Sequence, residues 1–394
     1  MHDPDSTLFV RRPGSVADLV NRSPESSSAS TAPARGGRIE VVDWLRGLAV
    51  VLMIMAHGMD AWLLPSAKSG FVYSIVKVGS GIPARLFLLL VGVSAAIQFE
   101  AGLAKGLDDR VARRRLAKRG LQVLVLAYLF RLQEWILSGF YGGWETVLRI
   151  DILNAIGASM LVVAALAAPW RGRRQIVPAL LFAAIFLGFG RAVGPAHFPS
   201  WLPRPITSYI GGQRPMAWFP LFPWAAWALV GVAIGHLWVF ANRDQRRLRR
   251  CFTASFFIGL VMTSTVGIVR HLDPTIIRYP NEVIQQMGPG IFFHRLGLIA
   301  SLGGIGFLWC RLLRGRFSAL RQLGRTSLLI YWVHIELCYG SFVFALRARF
   351  HLLGAALLFL TLAGMMLGLS LLRTRYSRHL VDWLPERFRK PGLA

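Results

Sequence analysis

Long apolar runs recur along this sequence, and each is close to the length that a helix needs to cross a lipid bilayer. A crossing takes roughly 20 mostly apolar residues, because a helix rises about 1.5 Å per residue through about 30 Å of hydrocarbon. About ten such runs are present, and they predict an all-α, polytopic integral membrane protein with about ten transmembrane helices. Their approximate positions are residues 41–63, 79–99, 119–138, 152–169, 175–193, 219–240, 252–269, 290–310, 324–346 and 351–372.

The basic residues between these runs predict how the chain is oriented in the bilayer. The net charge of +26 would by itself suggest a nucleic-acid partner. However, the basic residues form short clusters, such as 110–119 and 243–250, between alternate apolar runs, as the positive-inside rule requires. We therefore predict no nucleic-acid partner, a multi-pass protein of a cell inner membrane, and both termini in the cytoplasm.

The sequence also predicts three parts of unequal size. Residues 1–37 are rich in Ser, Pro, Ala and Gly and lack the apolar core of a signal peptide, so a disordered cytoplasmic tail is expected. Residues 38–374 are expected to form a single transmembrane domain, and 375–394 a basic cytoplasmic C-terminal tail. The three cysteines are too widely spaced for a disulfide framework or a zinc site, and no metal site is predicted.

The first apolar run, RGLAVVLMIMAH, begins with Arg46 and ends with His57. The spacing of eleven residues is close to three helical turns, so both side chains share one face of the helix, about 16 Å apart. In the predicted orientation, Arg46 lies near the cytoplasm and His57 near the outer side. Asp60 follows His57 at i+3, and a carboxylate there could fix the ring tautomer and strengthen the other nitrogen as a base. The alternative is a hydrogen-bonded histidine with only a packing role.

Other polar side chains within the apolar runs suggest a pocket open to the outer side, because intramembrane ionisable residues usually face a bundle interior or a water-filled cavity. The candidates for substrate binding are Asp43, Asp151, Asn154, His294 and His334. Several have a structural alternative. Asp43 is spaced to pair with Arg46, Glu134 is spaced to pair with Arg131, and Asp151 is placed to stabilise the start of a helix.

Several segments resemble a known family. RIEVVDWLRGLAVVLMIMAH (38–57) resembles the opening helix of the heparan-α-glucosaminide N-acetyltransferase-like membrane proteins, including their bacterial members. More distantly, it resembles the acyltransferase-3 superfamily, whose first helix carries an Arg, ten residues and a His. Further segments fit the same group in the same order: PARLFLLLVGVSAA (83–96), RIDILNAIGAS (149–159), FPLFPWAAWALVGVAIG (219–235) and LGRTSLLIYWVHIELCYG (323–340).

The resemblance implies a membrane acyltransferase that moves an acyl group, with acetyl as the expected one, from cytoplasmic acyl-CoA to an extracytoplasmic acceptor. The acceptor would be a hydroxyl or amine of a carbohydrate or another envelope molecule. On this analogy Arg46 lies toward the CoA donor, and His57 is the general base or the acyl carrier. One departure concerns the heparan enzyme, which has asparagine at the position of His57 and its active histidine in the following loop. Residues 58–100 contain no histidine, so the arrangement is closer to that of acyltransferase-3.

Two other classes of function remain open at this point. A transporter or flippase of a polar or lipid-linked metabolite would use His57 and Asp60 as a proton-coupling pair. A non-catalytic partner in an envelope-assembly complex, including an oligomer, would use neither. The absence of an internal repeat of the kind found in inverted-topology transporters favours the enzyme.

Overall fold

The computed structural model describes residues 39–190, 193, 198, 199, 201–212, 216–272 and 288–383. The predicted disordered tail, residues 1–37, lies outside this part of the chain. Within it, thirteen α-helices follow one another: α1 Glu40–Trp62, α2 Gly70–Ser80, α3 Pro83–Ala104, α4 Asp109–Leu137, α5 Ile152–Leu166, α6 Ile176–Phe189, α7 Arg204–Gly211, α8 Leu221–Ala241, α9 Gln245–Leu272, α10 Pro289–Leu312, α11 Ala319–Arg325, α12 Ser327–Tyr339 and α13 Leu352–Trp383.

Each of the ten predicted apolar runs falls on one of these helices, which confirms the all-α polytopic fold. Among the described residues, eight helical spans are long and apolar enough to cross a membrane. The two remaining runs fold as α5 and α12, which are apolar but only 15 and 13 residues long. At 1.5 Å per residue they extend about 22 and about 20 Å. The last helix, α13, runs to Trp383 and so continues beyond residue 374, where the C-terminal tail was expected to begin.

The most buried of the membrane-length helices is α8, which packs along α3. Glycines allow this close contact between the two backbones. A Cβ atom at Gly92 of α3 would lie 1.8 Å from the carbonyl oxygen of Ala228, and one at Gly231 of α8 would lie 2.0 Å from that of Leu89. Both distances are far inside van der Waals contact, so any larger side chain would force the helices apart. Small residues at such crossings are typical of helix packing in membranes.

Contacts at both ends of α1 join it to segments from the last part of the chain. At the predicted outer end, Leu64 donates to the carbonyl of Phe350 at 2.9 Å, and Phe350 donates to that of Trp62 at 3.0 Å. At the opposite end, Arg321 on α11 donates to Glu40 at 2.5 Å. The first and last parts of the chain therefore meet at both ends of α1. Which of these sides faces the cytoplasm stays a prediction from the charge distribution.

Candidate functional site

His57 lies near the end of α1 and faces α12. Its Nδ1 is 3.3 Å from the hydroxyl oxygen of Tyr339, and that hydroxyl donates to Oδ2 of Asp60 at 2.8 Å. Because the Asp60 carboxylate accepts the tyrosine proton, the Tyr339 oxygen is left to accept a hydrogen bond from His57. The ring proton of His57 is therefore on Nδ1, and Nε2 carries the lone pair. This arrangement makes Nε2 the basic nitrogen of the side chain.

The relay through Tyr339 differs from the direct contact between His57 and Asp60 that the i+3 spacing suggested. Asp60 is exposed and also lies 3.4 Å from Nζ of Lys68, so its carboxylate is shared between two partners. Tyr339 lies 282 residues from His57 in sequence, and no local pattern connects the two. The one available signal was that Tyr339 belongs to the last of the family-like segments.

A second histidine, His334, lies beside His57, with ring centroids 5.4 Å apart. Its Nδ1 is 2.8 Å from the carbonyl oxygen of Ile330, which can only accept, so Nδ1 carries the proton here as well. Nε2 of His334 is fully buried and has no hydrogen-bond partner among the described residues. A buried polar atom without a partner is costly. Two histidines therefore present basic Nε2 atoms in one small region, and a bound donor would satisfy that of His334.

Tyr331 extends this group toward α4. Its ring centroid lies 5.8 Å from that of His334 and 5.8 Å from that of Phe130. Phe130 directly precedes Arg131, the buried cation of a second polar cluster. The candidate site thus continues from α1 through α12 to α4.

Arg131 is the centre of this second cluster, and it is 5% exposed. Its guanidinium donates to Glu134, to the carbonyl of Thr146 at 2.8 Å, and lies 3.3 Å from Oδ2 of Asp151. Arg149 contacts the other oxygen of Asp151 at 3.6 Å. The predicted pairing of Arg131 with Glu134 is therefore present. The carboxylates of Glu134 and Asp151 are therefore both largely neutralised by arginine. For Glu134, this is the structural alternative that its i+3 spacing from Arg131 suggested.

Asp151 is also the N-terminal cap of α5. Its side chain and that of Asn154 bond reciprocally to backbone N–H groups in a capping box, so the helix-start alternative for Asp151 is confirmed. Asn154 is fully buried, and its Nδ2 donates to the Tyr209 hydroxyl at 3.1 Å. The Tyr209 hydroxyl oxygen in turn lies 2.7 Å from the Tyr128 hydroxyl oxygen. These contacts fix the start of α5, and a substrate-binding role for Asp151 and Asn154 stays a prediction.

Arg46 and Asp43 lie at the opposite end of α1. Asp43 is buried, and its Oδ1 is 3.8 Å from Nη1 of Arg46, so the ion pair suggested by their spacing is present. Arg46 also donates from Nη2 to Oγ of Ser94 on α3 at 2.5 Å. The sequence gave no indication of this second contact. The bond to Ser94 holds the Arg46 guanidinium on the face of α1 that also carries His57. Along the helix axis the two residues are about 16 Å apart.

His294 lies half-buried near the start of α10, beside Arg295, which donates to the carbonyl of Val78 at 2.6 Å. Of the five residues predicted to bind substrate, His334 has a described contact with His57, through their rings. In the described part of the chain, no three His, Cys, Asp or Glu side chains are grouped so that they could hold a metal ion.

Comparison with known proteins identifies a family. The family model described as heparan-alpha-glucosaminide N-acetyltransferase, catalytic, matches residues 38–267, which is more than half of the 394-residue chain. No curated protein matches the sequence. The matched segment contains Arg46, His57 and Asp60, whereas His334 and Tyr339 follow it in the chain.

Proposed function

We propose, from the premise that this chain belongs to the heparan-alpha-glucosaminide N-acetyltransferase catalytic family, that it carries an acyl group across the membrane. The family supports a multi-pass membrane protein of acetyltransferase type. In our proposal, cytoplasmic acetyl-CoA is the donor. The acceptor is an amine or hydroxyl of a carbohydrate or another envelope molecule on the outer side of an inner membrane, and both termini lie in the cytoplasm.

The observation that carries the proposal is the relay from Nδ1 of His57 through the Tyr339 hydroxyl to Asp60. It leaves Nε2 of His57 as a general base. As the acceptor nitrogen or oxygen attacks the thioester carbonyl, Nε2 takes the acceptor proton, and the new N–C or O–C bond forms. The C–S bond then breaks, and the departing CoA thiolate takes the proton back from the imidazolium. General-base catalysis of this kind contributes about 10²–10⁴-fold.

A two-step route uses the same nitrogen as a nucleophile. Nε2 of His57 attacks the thioester, CoA leaves, and an acyl-histidine forms that the acceptor then attacks. The two routes predict different outcomes when the acceptor is left out. Only the two-step route leaves label from acetyl-CoA on the protein itself.

Two further residues, one at each end of α1, contact the substrates in this proposal. His334 accepts a hydrogen bond from the acceptor at Nε2, which is the buried atom without a described partner. Arg46, held by Asp43 and Ser94, faces the donor from the opposite end of α1. A guanidinium is suited to this because it binds phosphate through two parallel hydrogen bonds.

The proposal is tested with purified protein in proteoliposomes, radiolabelled acetyl-CoA and a cell-envelope extract as the source of acceptor. We expect label transfer by the wild type and a loss of about 10²–10⁴-fold in His57→Gln. His351→Gln is the matched control, because His351 is exposed near the same predicted end, and it should keep the wild-type rate. A wild type that neither hydrolyses the thioester nor labels an acceptor, yet moves a solute across liposomes, would establish the transporter instead.

A further inference from the structure

A groove of about 250 Å³ lies between α4 and α5 at the predicted cytoplasmic end of the bundle, far from His57. Its walls combine two guanidinium groups with small apolar side chains: Arg113, Arg114, Ala117, Leu161, Ala164 and Ala165. From these observations we propose that the groove binds the phosphate headgroup of an anionic phospholipid. This proposal is independent of the acyl-transfer reaction.

The groove follows from how α4 and α5 cross. A Cβ atom at Gly120 would lie 2.9 Å from the carbonyl oxygen of Gly157, and one at Gly157 would lie 2.7 Å from Cγ of Leu124. The two backbones therefore approach closely at this pair of glycines. Toward the start of α4, the facing residues are Ala117 and Ala164, whose side chains are too short to fill the space as the helices separate. A cleft remains that opens to the surface of the bundle.

The lengths of the two helices place this cleft at headgroup depth. α5 has 15 residues and extends about 22 Å, whereas α4 has 29 and extends about 43 Å. The apolar layer of a bilayer is about 30 Å thick, so a short span such as α5 draws the headgroups inward around its end. Arg113 and Arg114 project from α4 beside the end of α5, where the displaced headgroups would lie.

The charges at the cleft favour an anion. Arg113 and Arg114 are exposed, and within the described residues neither guanidinium has a hydrogen bond or an ion pair. Arg171 nearby differs, because it lies 3.6 Å from Asp109. Two adjacent guanidiniums can bind one phosphate, while the alanine floor accommodates the glycerol and the upper part of an acyl chain. Basic pockets between transmembrane helices on the cytoplasmic side bind anionic lipids in this way.

Native mass spectrometry of the full-length protein, titrated with phosphatidylglycerol or phosphatidylcholine, tests the assignment. We expect wild type to bind phosphatidylglycerol more tightly than phosphatidylcholine. The double variant Arg113→Gln/Arg114→Gln should bind phosphatidylglycerol at least about tenfold more weakly, since both guanidiniums that attract the anionic headgroup are removed. Its affinity for phosphatidylcholine should not change.

Two further variants separate the groove from general attraction to anionic lipid. Arg115→Gln/Arg119→Gln removes the same charge from the opposite face of α4, because successive residues are rotated by about 100°, and it should bind as wild type does. Ala165→Phe keeps both arginines but fills the groove at an exposed position, and it should weaken phosphatidylglycerol binding as the arginine variant does. The thermal unfolding temperature of each variant is measured to check that the fold is retained.

Three results would overturn the proposal. The first is an equal loss of phosphatidylglycerol affinity in the two charge-matched double variants, which would indicate general electrostatic attraction to anionic lipid and no specific site. The second is unchanged binding in Ala165→Phe. The third is displacement of phosphatidylglycerol by equimolar coenzyme A or inorganic phosphate, which would assign the arginines to a soluble phosphate ligand.

Discussion

Two histidine clusters occupy the two predicted ends of this bundle, and they differ in how fully their buried nitrogen atoms are hydrogen-bonded. At the predicted inner end, Nδ1 of His236 lies 2.9 Å from Oε1 of Glu100, and Nε2 lies 3.1 Å from the side-chain oxygen of Gln175. Both nitrogens therefore have partners. At the predicted outer end, Nδ1 of His57 contacts Tyr339, and His334 leaves its Nε2 unbonded among the described residues.

The difference separates a cluster that stabilises the fold from one arranged to bind something else. A buried polar group costs free energy unless it is hydrogen-bonded, and a fully bonded network fixes the packing of the helices that contribute to it. His236 connects α3, α8 and the segment before α6 in this way. Nε2 of His334 is buried without a described donor, which lowers stability unless a ligand supplies one. The predictions below test this contrast, beginning with the largest expected effect.

His236→Leu should destabilise the protein by about 2–4 kcal/mol, because it removes the described partner of the part-buried Glu100 carboxylate and of the buried Gln175 amide. We expect a clearly lower unfolding temperature in detergent, followed by intrinsic tryptophan fluorescence. The rate of acyl transfer per folded molecule should not change. An unchanged unfolding temperature would show that the inner cluster is not a structural network.

Tyr339→Phe should reduce the rate of acyl transfer by about 10–100-fold, a part of the contribution expected from the general base. The phenyl ring preserves the packing against His57, so the unfolding temperature should stay near that of wild type. Steady-state rates with labelled acetyl-CoA measure the effect. Tyr73→Phe removes a hydroxyl for which no hydrogen bond is described, and it is the matched control. Equal rates in both variants would contradict the relay.

His334→Leu should lower the rate of acyl transfer about tenfold, since the acceptor loses one hydrogen bond of about 1–1.5 kcal/mol. Stability should be unchanged or higher, because the variant removes a buried nitrogen that has no described partner. The same substitution at His236 gives the opposite expectation, so the two are measured side by side. A drop in unfolding temperature equal to that of His236→Leu would show that His334 is a packing residue.

Asp60→Asn should have the smallest effect, a decrease of about two- to fivefold in the rate. The Asp60 side chain is 66% exposed, so its charge is screened by solvent, and an amide oxygen can still accept from the Tyr339 hydroxyl. Rates measured at low and high salt should differ less in the variant than in wild type. A loss as large as that of Tyr339→Phe would mean that the carboxylate charge, rather than the relay geometry, sets the basicity of His57.

The sequence predicts well what depends on neighbouring residues. Hydropathy located ten apolar runs that each fall on a helix in the described part of the chain, and i+3 spacing predicted the ion pairs of Asp43 with Arg46 and of Arg131 with Glu134. Both signals are local, because a helix repeats its faces every three to four residues. The short helix α2 was not predicted, since its 11 residues contain no buried side chain and are too few to cross a membrane alone.

Contacts between distant segments could not be predicted. The bonds from Tyr339 to His57 and from Arg46 to Ser94 depend on which helices pack together and on their rotation. A single sequence contains no record of these choices. Tyr339 and Ser94 were therefore missed, whereas His57, Asp60 and the pairing of Asp43 with Arg46 were proposed from the sequence.

The closure of the chain at the end of α1 has a consequence for biosynthesis. Ala348 donates to the carbonyl of Ala61 at 2.9 Å, and this contact lies next to the Tyr339 relay. A ribosome delivers α1 to the membrane first, but Tyr339 and His334 leave it only after most of the remaining chain has been made. A nascent chain thus carries His57 without its proton relay for most of its synthesis. Nδ1 of His57 gains its Tyr339 partner only when α12 has been inserted, so on the proposed function a prematurely terminated chain would occupy the membrane without catalysing acyl transfer.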